Sequence, residues 1–268
     1  MNAAGILQLL PEDERSRVEA LEVFAELGST NSYLLQEAAP PPGRFRVAIA
    51  ESQTEGRGRL GRRWISPPRS GLCLSLSCKF VQAPPNLPSL TLAIGAAVAA
   101  ALRTMGADDV ALKWPNDIVV CGGKLGGILT EVRPEVGGGQ TVVIGLGLNV
   151  DLPEAMREAP GERWASRIVD LKQCVASLPS LPVLAAGILQ CLLAAVTRFE
   201  RDGFEAFYAA WQDCDWLKGK GVSIPQAEEE VRGVASGIDS GGALLVETAR
   251  GTRRIVTGSV TLTDSAVA

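Results

Sequence analysis

Between Gly56 and Trp64 the chain reads GRGRLGRRW, three glycines and four arginines in nine residues. Glycine lets backbone amides approach a ligand closely, and arginine adds a fixed charge and forked donors. Such a stretch is suited to holding an anion. Upstream, Ser29, Thr30 and Asn31 follow Gly28, and Gln53 stands three residues before the loop. Downstream come Lys113 and Lys124, each at a turn, with Asn116, Asp117 and Asn149 as short polar companions. Together these residues suit a reaction in which a carboxylate attacks a phosphate. Two like charges 4 Å apart cost roughly 4 kcal/mol at an effective dielectric near 20, so donors must already be in place. The amides of Arg57 to Arg59, the Arg59 guanidinium and the Lys124 ammonium can supply them, and Asp117 with phosphate oxygens can bind Mg²⁺.

Each residue also has a plainer reading. Ser29 or Thr30 can cap a helix, Lys124 can be a solvated turn lysine, and the Lys113 stem can pack on Trp114 and Pro115. Gly56, Gly58 and Gly61 satisfy G-x-G-x-x-G, but Pro67 and Pro68 follow instead of a helix, so the dinucleotide reading fails. Lys124 lacks the glycine spacing of a P-loop. Gly145 and Gly147, just before Asn149, indicate that something flat lies on that strand.

The elements that must position these groups are legible in outline. Met1 to Arg17 is a helical lead-in, Leu21 to Leu27 a strand, and Thr30 to about Ala39 a helix. Phe45 to Ala50 is a strand. Leu72 to Phe80 alternates, which predicts one core face and one wetter face. Pro84, Pro85 and Pro88 close that strand and open a helix from Ser89 to Met105. Val110 to Trp114, the turn at Pro115 to Asp117, the reversal at Gly122 to Lys124 and the strand Gly127 to Val132 form a hairpin. A turn at Gly137 to Gly139 leads to Thr141 to Val150, apolar on both faces and therefore central. A helical segment is predicted near Arg163 to Val175, and a long helix from Pro182, broken at Gly203, runs to Trp211. After it come short strands, Gly221 to Ile224, Glu229 to Ile238, Ala243 to Thr248 and Arg253 to Leu262, which predict a small barrel.

The 268 residues are 46% hydrophobic, enough for one substantial domain and a small companion. With 26 basic and 30 acidic residues the net charge is −4, so no global field attracts nucleic acid. There is no histidine, which removes imidazole acid–base schemes and His-ligated metals. The six cysteines form no C-x-x-C pair, and Cys73 and Cys78 read as buried thiols. No signal segment is present and the apolar runs read as too short for a bilayer, so the expectation is a cytoplasmic protein.

Five segments in order resemble the biotin protein ligases: GSTN (28–31), ESQTEGRGRLGRRW (51–64), KWPNDI (113–118), GKLGGIL (123–129) and GLGLNV (145–150). GVASGIDSGGALLV (233–246) resembles that family's small C-terminal domain. The resemblance implies an α/β (α+β) fold. A mixed-sheet catalytic domain of the biotin/lipoate ligase type would span 1–212, and a small SH3-like β-barrel 213–268. It implies two steps: biotin and ATP give biotinyl-5′-adenylate and pyrophosphate, then a lysine of a biotin carboxyl carrier domain takes the biotinyl group and releases AMP.

Carried over residue by residue, Ser29, Thr30, Asn31 and Gln53 would hold the biotin rings, and the amides of Gly56, Arg57, Gly58 and Arg59 the biotin carboxylate. Arg57, Arg59, Trp64, Lys113, Asn116, Asp117 and Asn149 would serve ATP and the adenylate, with Asp117 on Mg²⁺. Lys124 and Arg59 would be catalytic, with Lys124 also binding biotin by touching its carboxylate as well as the α-phosphate. Repressor-type members carry a preceding DNA-binding domain, for which this chain has no room, so a monofunctional ligase is expected. Its partner would be a carboxylase's carrier domain, with no DNA and no membrane, and it would be a monomer or homodimer. The rivals are a lipoate ligase or octanoyl transferase, which needs an elongated apolar tunnel, and a non-enzymatic binding module.

Overall fold

The computed structural model describes residues 1–84, 86–136, 138–157, 168–226 and 229–263. Two short helices, α1 (Ala3–Gln8) and α2 (Glu12–Arg17), lead into β1 (Val18–Phe24), and α3 (Thr30–Gln36) follows. Ser29 caps α3 by accepting from the Ser32 amide, which satisfies one of the helix's open donors. Then come β2 (Phe45–Ala50), β3 (Gly71–Phe80), α4 (Leu90–Thr104), β4 (Ala111–Lys113), β5 (Asp117–Val120), β6 (Gly123–Pro134) and β7 (Gln140–Asn149). After α5 (Glu154–Arg157), α6 (Leu181–Asp202) starts with Pro182 in its first turn and ends at Gly203, whose φ is 67°. Both are favourable punctuation. Next, α7 (Glu205–Gln212) leads to β8 (Gly221–Pro225), β9 (Glu230–Ile238), β10 (Leu244–Thr248), β11 (Gly251–Ile255) and β12 (Thr261–Leu262).

The first seven strands form one mixed sheet in the order β1-β2-β3-β7-β6-β5-β4. The β1–β2 pair is parallel and the others are antiparallel. β7 is central, as its two apolar faces require: Val142 and Ile144 join the main core with α4 and α6, while Val143 packs with Leu34 and Ala48 under α3. That small second core changes the reading of β3. Its expected wetter face is buried, with Ser75 and Ser77 at 0 and 1% exposure, because α3 covers it.

Other expectations also need correction. Arg163 to Val175 is not a helix where it is described: Ile168 makes an isolated bridge and Leu171–Gln173 a single 3-10 turn, while 163–167 lies outside the described residues, as do Pro85 and Gly137. Leu87–Thr104 and Leu181–Asp202 are long and apolar enough to cross a bilayer by length and composition, contrary to the sequence reading. About half of each (56 and 50%) is buried against the rest of the protein.

The C-terminal strands form a separate antiparallel sheet in the order β11-β10-β9-β8-β12. This sheet is open, and the expected barrel is wrong. Arg253 to Leu262 is not one strand: it breaks between β11 and β12, with Gly258 at φ 153°, and β12 is left with two residues. Among the described residues β11 pairs with β10 and β12 with β8, so the two edges do not meet. The sheet is tied to the larger one by the Trp114 indole, which donates to the Gly242 carbonyl at 3.0 Å, and the segment leading into it by Leu112 N, which donates to Cys214 O at 2.7 Å.

Candidate active site

α3, the glycine–arginine loop, the β5–β6 hairpin and β7 enclose a cleft of about 840 Å³, counting its open mouth. Its floor is neutral and polar. Gln53 Oε1 accepts from the Thr30 amide at 2.8 Å and the Thr30 hydroxyl at 3.1 Å. The Ser75 hydroxyl lies 2.6 Å from Asn31 Oδ1 and 2.7 Å from Thr30 Oγ1. Asn31 Nδ2 donates to the Leu129 carbonyl at 3.1 Å and to Glu131 Oε2 at 2.9 Å. Ser29, Thr30 and Asn31 are all buried. Ser29 is therefore a helix cap and a cleft residue at once.

The opposite wall is charged. Lys124 Nζ lies 2.9 Å from Asp117 Oδ1, and Lys113 Nζ 3.6 Å from Asp117 Oδ2. Two ammoniums on one carboxylate leave a net positive wall. Local geometry aims Lys124. Cys121 (φ 48°) and Gly122 (φ 73°) make a two-residue left-handed turn between paired Val120 and Gly123, the geometry that suits a twisted hairpin. Then Val119 pairs with Lys124 but Ile118 with Gly126, so Leu125 is bulged. A bulge of this kind redirects the neighbouring side chain. Lys113 is buried, and its charge reaches Asp117.

The loop lies across the mouth. Its backbone closes on itself through Gly58 N to Arg62 O at 2.7 Å and Trp64 N to Gly56 O at 2.9 Å. Leu60 takes φ 56°, a costly choice for a leucine, and is 70% exposed. Fixing such a segment costs about 1–2 kcal/mol per residue, and all four arginines help hold it. Arg57 reaches Glu131 at 2.7 Å and the Ser32 hydroxyl at 3.2 Å, and Arg59 donates to Asn116 Oδ1 at 3.4 Å. Arg62 reaches the Ser259 hydroxyl and Arg63 the Thr54 carbonyl, each at 2.7 Å. Burial pushes the Arg59 pKa down and nearby Asp117 pulls it up; the guanidinium stays charged at neutral pH.

The flat partner of β7 is the chain's own Trp64. A Cβ on Gly147 would sit 2.5 Å from the indole, and one on Gly145 only 2.2 Å from Asn31 Oδ1. The structure thus brings Ser29, Thr30, Asn31, Gln53, Arg57, Gly58, Arg59, Trp64, Lys113, Asn116, Asp117 and Lys124 to one cleft. Gly56 and Asn149 are not among its lining residues. Asn149 Nδ2 donates to the Val169 carbonyl at 3.0 Å and the Lys124 carbonyl at 3.4 Å, bracing the hairpin lysine from the rear.

The Mg²⁺ expectation fits poorly. Both Asp117 oxygens face lysines, and no cluster of three acidic or thiol ligands occurs among the described residues. Buried Cys73 and Cys78 have their thiol pKa values pushed up by burial, in keeping with packed rather than reactive sulfur.

Sequence reasoning missed Ser32, Ser75, Glu131 and Ser259. Ser75 left a signal, a hydroxyl on a strand whose other face is wholly apolar, and Glu131 is the one charged residue in the stretch Gly127 to Val132. Nothing in the sequence places Ser259, which comes from the C-terminal region and joins the lining with Gly258.

Comparison with known proteins extends this geometry. Residues 23–149 match the biotin/lipoate A/B protein ligase family, and 219–262 match the biotin protein ligase C-terminal domain. The bifunctional ligase/repressor BirA of Salmonella typhimurium is 34% identical over 247 residues, covering 90% of this chain and 74% of that protein. The biotin–[acetyl-CoA-carboxylase] ligase of Mycobacterium tuberculosis is 34% identical over 246 residues, 90% of this chain and 88% of its own. The solved biotin protein ligase from Aquifex aeolicus in complex with biotin and ATP superposes with a TM-score of 0.75 at 25% identity, over 92% of this chain and all (100%) of that one.

Proposed function

The chain belongs to the biotin protein ligase family, and we infer from that membership and from the cleft that it activates biotin with ATP and passes the biotinyl group to a carrier lysine. The observation that carries this reading is the meeting, in one cleft, of a neutral hydrogen-bonding floor with a net positive wall. A ureido ring offers both donors and acceptors, which Ser29, Thr30, Asn31 and Gln53 can answer. An elongated acyl chain would offer nothing to their remaining donor and acceptor capacity. The match over 219–262 also favours biotin over lipoate or octanoate.

In the first step a biotin carboxylate oxygen attacks the α-phosphorus of ATP, an O–P bond forms, the α–β anhydride breaks and pyrophosphate leaves. The loop backbone at Gly56 to Arg59 holds the carboxylate, the Gly58 amide leaving the Arg62 carbonyl to join it. Lys124 turns from Asp117 toward both anions, and Arg59 faces the α-phosphate. Preformed donors of this kind offset the repulsion as charge gathers on phosphorus. Lys113 and Asn116 lie on the nucleotide side, Asn149 keeps Lys124 in place, and Trp64 with Gly147 forms a flat wall for the adenine. No step is routed through a protein-held metal.

In the second step the neutral amine of a carrier-domain lysine attacks the anhydride carbonyl. A C–N bond forms, the bond to AMP breaks and the amine loses a proton. No enzyme nucleophile is needed, which suits a site without histidine. Covering the adenylate with the loop limits its loss to water.

Intact-mass measurement of a biotin carboxyl carrier domain incubated with the protein, biotin and ATP with magnesium tests the reading. A gain of one biotinyl group per domain is expected, with no gain when lipoate replaces biotin. An unmodified carrier, or equal use of lipoate, overturns it.

A further inference from the structure

Glu131 is an acid in contact with two lining residues, Asn31 and Arg57, of a cleft whose charged lining is cationic apart from Asp117. On β6 it follows Leu129 by two residues, and its side chain is 21% exposed. Its two oxygens serve different parts of the site. Oε2 accepts from Asn31 Nδ2 at 2.9 Å on the floor, and Oε1 meets the Arg57 guanidinium at 2.7 Å on the loop. Arg57 also donates to the Ser32 hydroxyl of α3 at 3.2 Å, so its fork is wedged between helix and sheet.

For the floor alone, the charge is a disadvantage. A glutamine would accept from Asn31 equally well and would not repel an arriving carboxylate or phosphate. The charge has one evident use, which is to hold Arg57. The other side-chain anchors of the loop touch different regions: Arg62 binds Ser259 of the C-terminal region, Arg63 the Thr54 carbonyl and Arg59 Asn116 of the wall. Among these described contacts, the Glu131 anchor is the one that shares an atom group with the floor.

We propose that Glu131 is a positioning residue that couples occupation of the biotin-ring floor to closure of the glycine–arginine loop. The inference rests on the ligase reading of the cleft. A ring seated against Ser29, Thr30 and Asn31 fixes the Asn31 amide, the amide fixes the Glu131 carboxylate, and the carboxylate holds Arg57 and the loop over the adenylate. Linkage makes the effect reciprocal: a loop held down by Arg57 keeps Asn31 in its ring-binding orientation. Glu131 touches neither reactant and acts through these two side chains.

Glu131→Gln separates the two contacts, since the amide oxygen can still accept from Asn31 while its NH₂ turns donor against donor toward Arg57. Three readouts apply: release of preformed biotinyl-adenylate, its dependence on salt, and tryptic cleavage within 57–63 in the presence of biotin. The expected result is adenylate release and loop cleavage about three- to fivefold faster, the range for breaking a half-exposed ion pair. The salt sensitivity of release should fall as well. Arg57→Gln probes the pair from the other side, and the double variant should release adenylate no faster than the faster single one. Unchanged release and cleavage in Glu131→Gln, or additive effects in the double variant, overturn the coupling. Should the unmodified protein form no adenylate at all, the ligase reading itself falls, a result distinct from a working enzyme that is indifferent to residue 131.

Discussion

The floor and the wall of the cleft face each other yet are built on opposite principles. The floor holds uncharged groups whose hydrogen bonds close on one another, from Gln53 through Thr30 and Ser75 to Asn31. The wall holds two ammoniums on one carboxylate, with Arg59 beside them. A floor of this kind discriminates by counting donors and acceptors, because each mismatch strands a buried group. A wall of this kind acts on any anion within reach and is matched to charge that grows during the reaction. Binding and rate should therefore separate by location.

The largest effect expected on that separation comes from Lys124→Ala. Removing the ammonium should raise the adenylation barrier by about 2–4 kcal/mol, the size of one lost transition-state donor, while the Kd for biotin alone moves little. Pyrophosphate exchange and calorimetry read the two quantities. If affinity falls as far as rate, Lys124 belongs to the floor and the contrast is lost.

The mirror experiment is Gly145→Ala. Its new methyl would lie 2.2 Å from Asn31 Oδ1 and 2.9 Å from Asn31 Cγ, so the amide must move off its partners. Such overpacking typically costs about 1–3 kcal/mol. It should appear as weaker biotin binding, with exchange at saturating biotin nearly normal. A rate loss at saturation would mean that wall and floor are one mechanical unit.

The two surfaces differ as much in legibility. The wall could be read ahead of the structure because arginines and lysines among glycines are conspicuous, and the turn at Cys121 and Gly122 lies one residue from where the glycines placed it. What could not be read was that Asp117 has both oxygens taken, since which lysines converge on it depends on a bulge at Leu125 that alternation does not reveal. On the floor, Ser29 to Asn31 and Gln53 were found, but β3 was assigned a wetter face. Ser75 is polar because it serves Asn31 and Thr30, and only the packing of α3 on the sheet makes that apparent. The C-terminal strands were placed nearly residue for residue up to Thr248, yet the barrel was wrong. Strand closure depends on whether two edges meet, and a local pattern carries no record of that.

Ser75→Ala gives the smallest expected effect and the sharpest test of the floor. Asn31 cannot compensate by flipping its amide. Nδ2 faces two acceptors, the Leu129 carbonyl and Glu131 Oε2, and Oδ1 faces the Ser75 hydroxyl, so the opposite orientation would set oxygen against oxygen on two sides. Oδ1 can only accept, which directs the Ser75 proton to it and leaves Thr30 to donate to Gln53 or to Ser75. The alanine removes that proton at a fully buried position and strands Oδ1, at a cost of about 1 kcal/mol. Biotin should bind roughly fivefold more weakly, the adenylation rate at saturation should hold, and the loop-cleavage pattern should stay that of the unaltered protein because Glu131 keeps both partners. An unchanged Kd would mean that the floor's specificity does not depend on how Asn31 is oriented, and the division between a counting floor and an attracting wall would have to be redrawn around Thr30 and Gln53 alone.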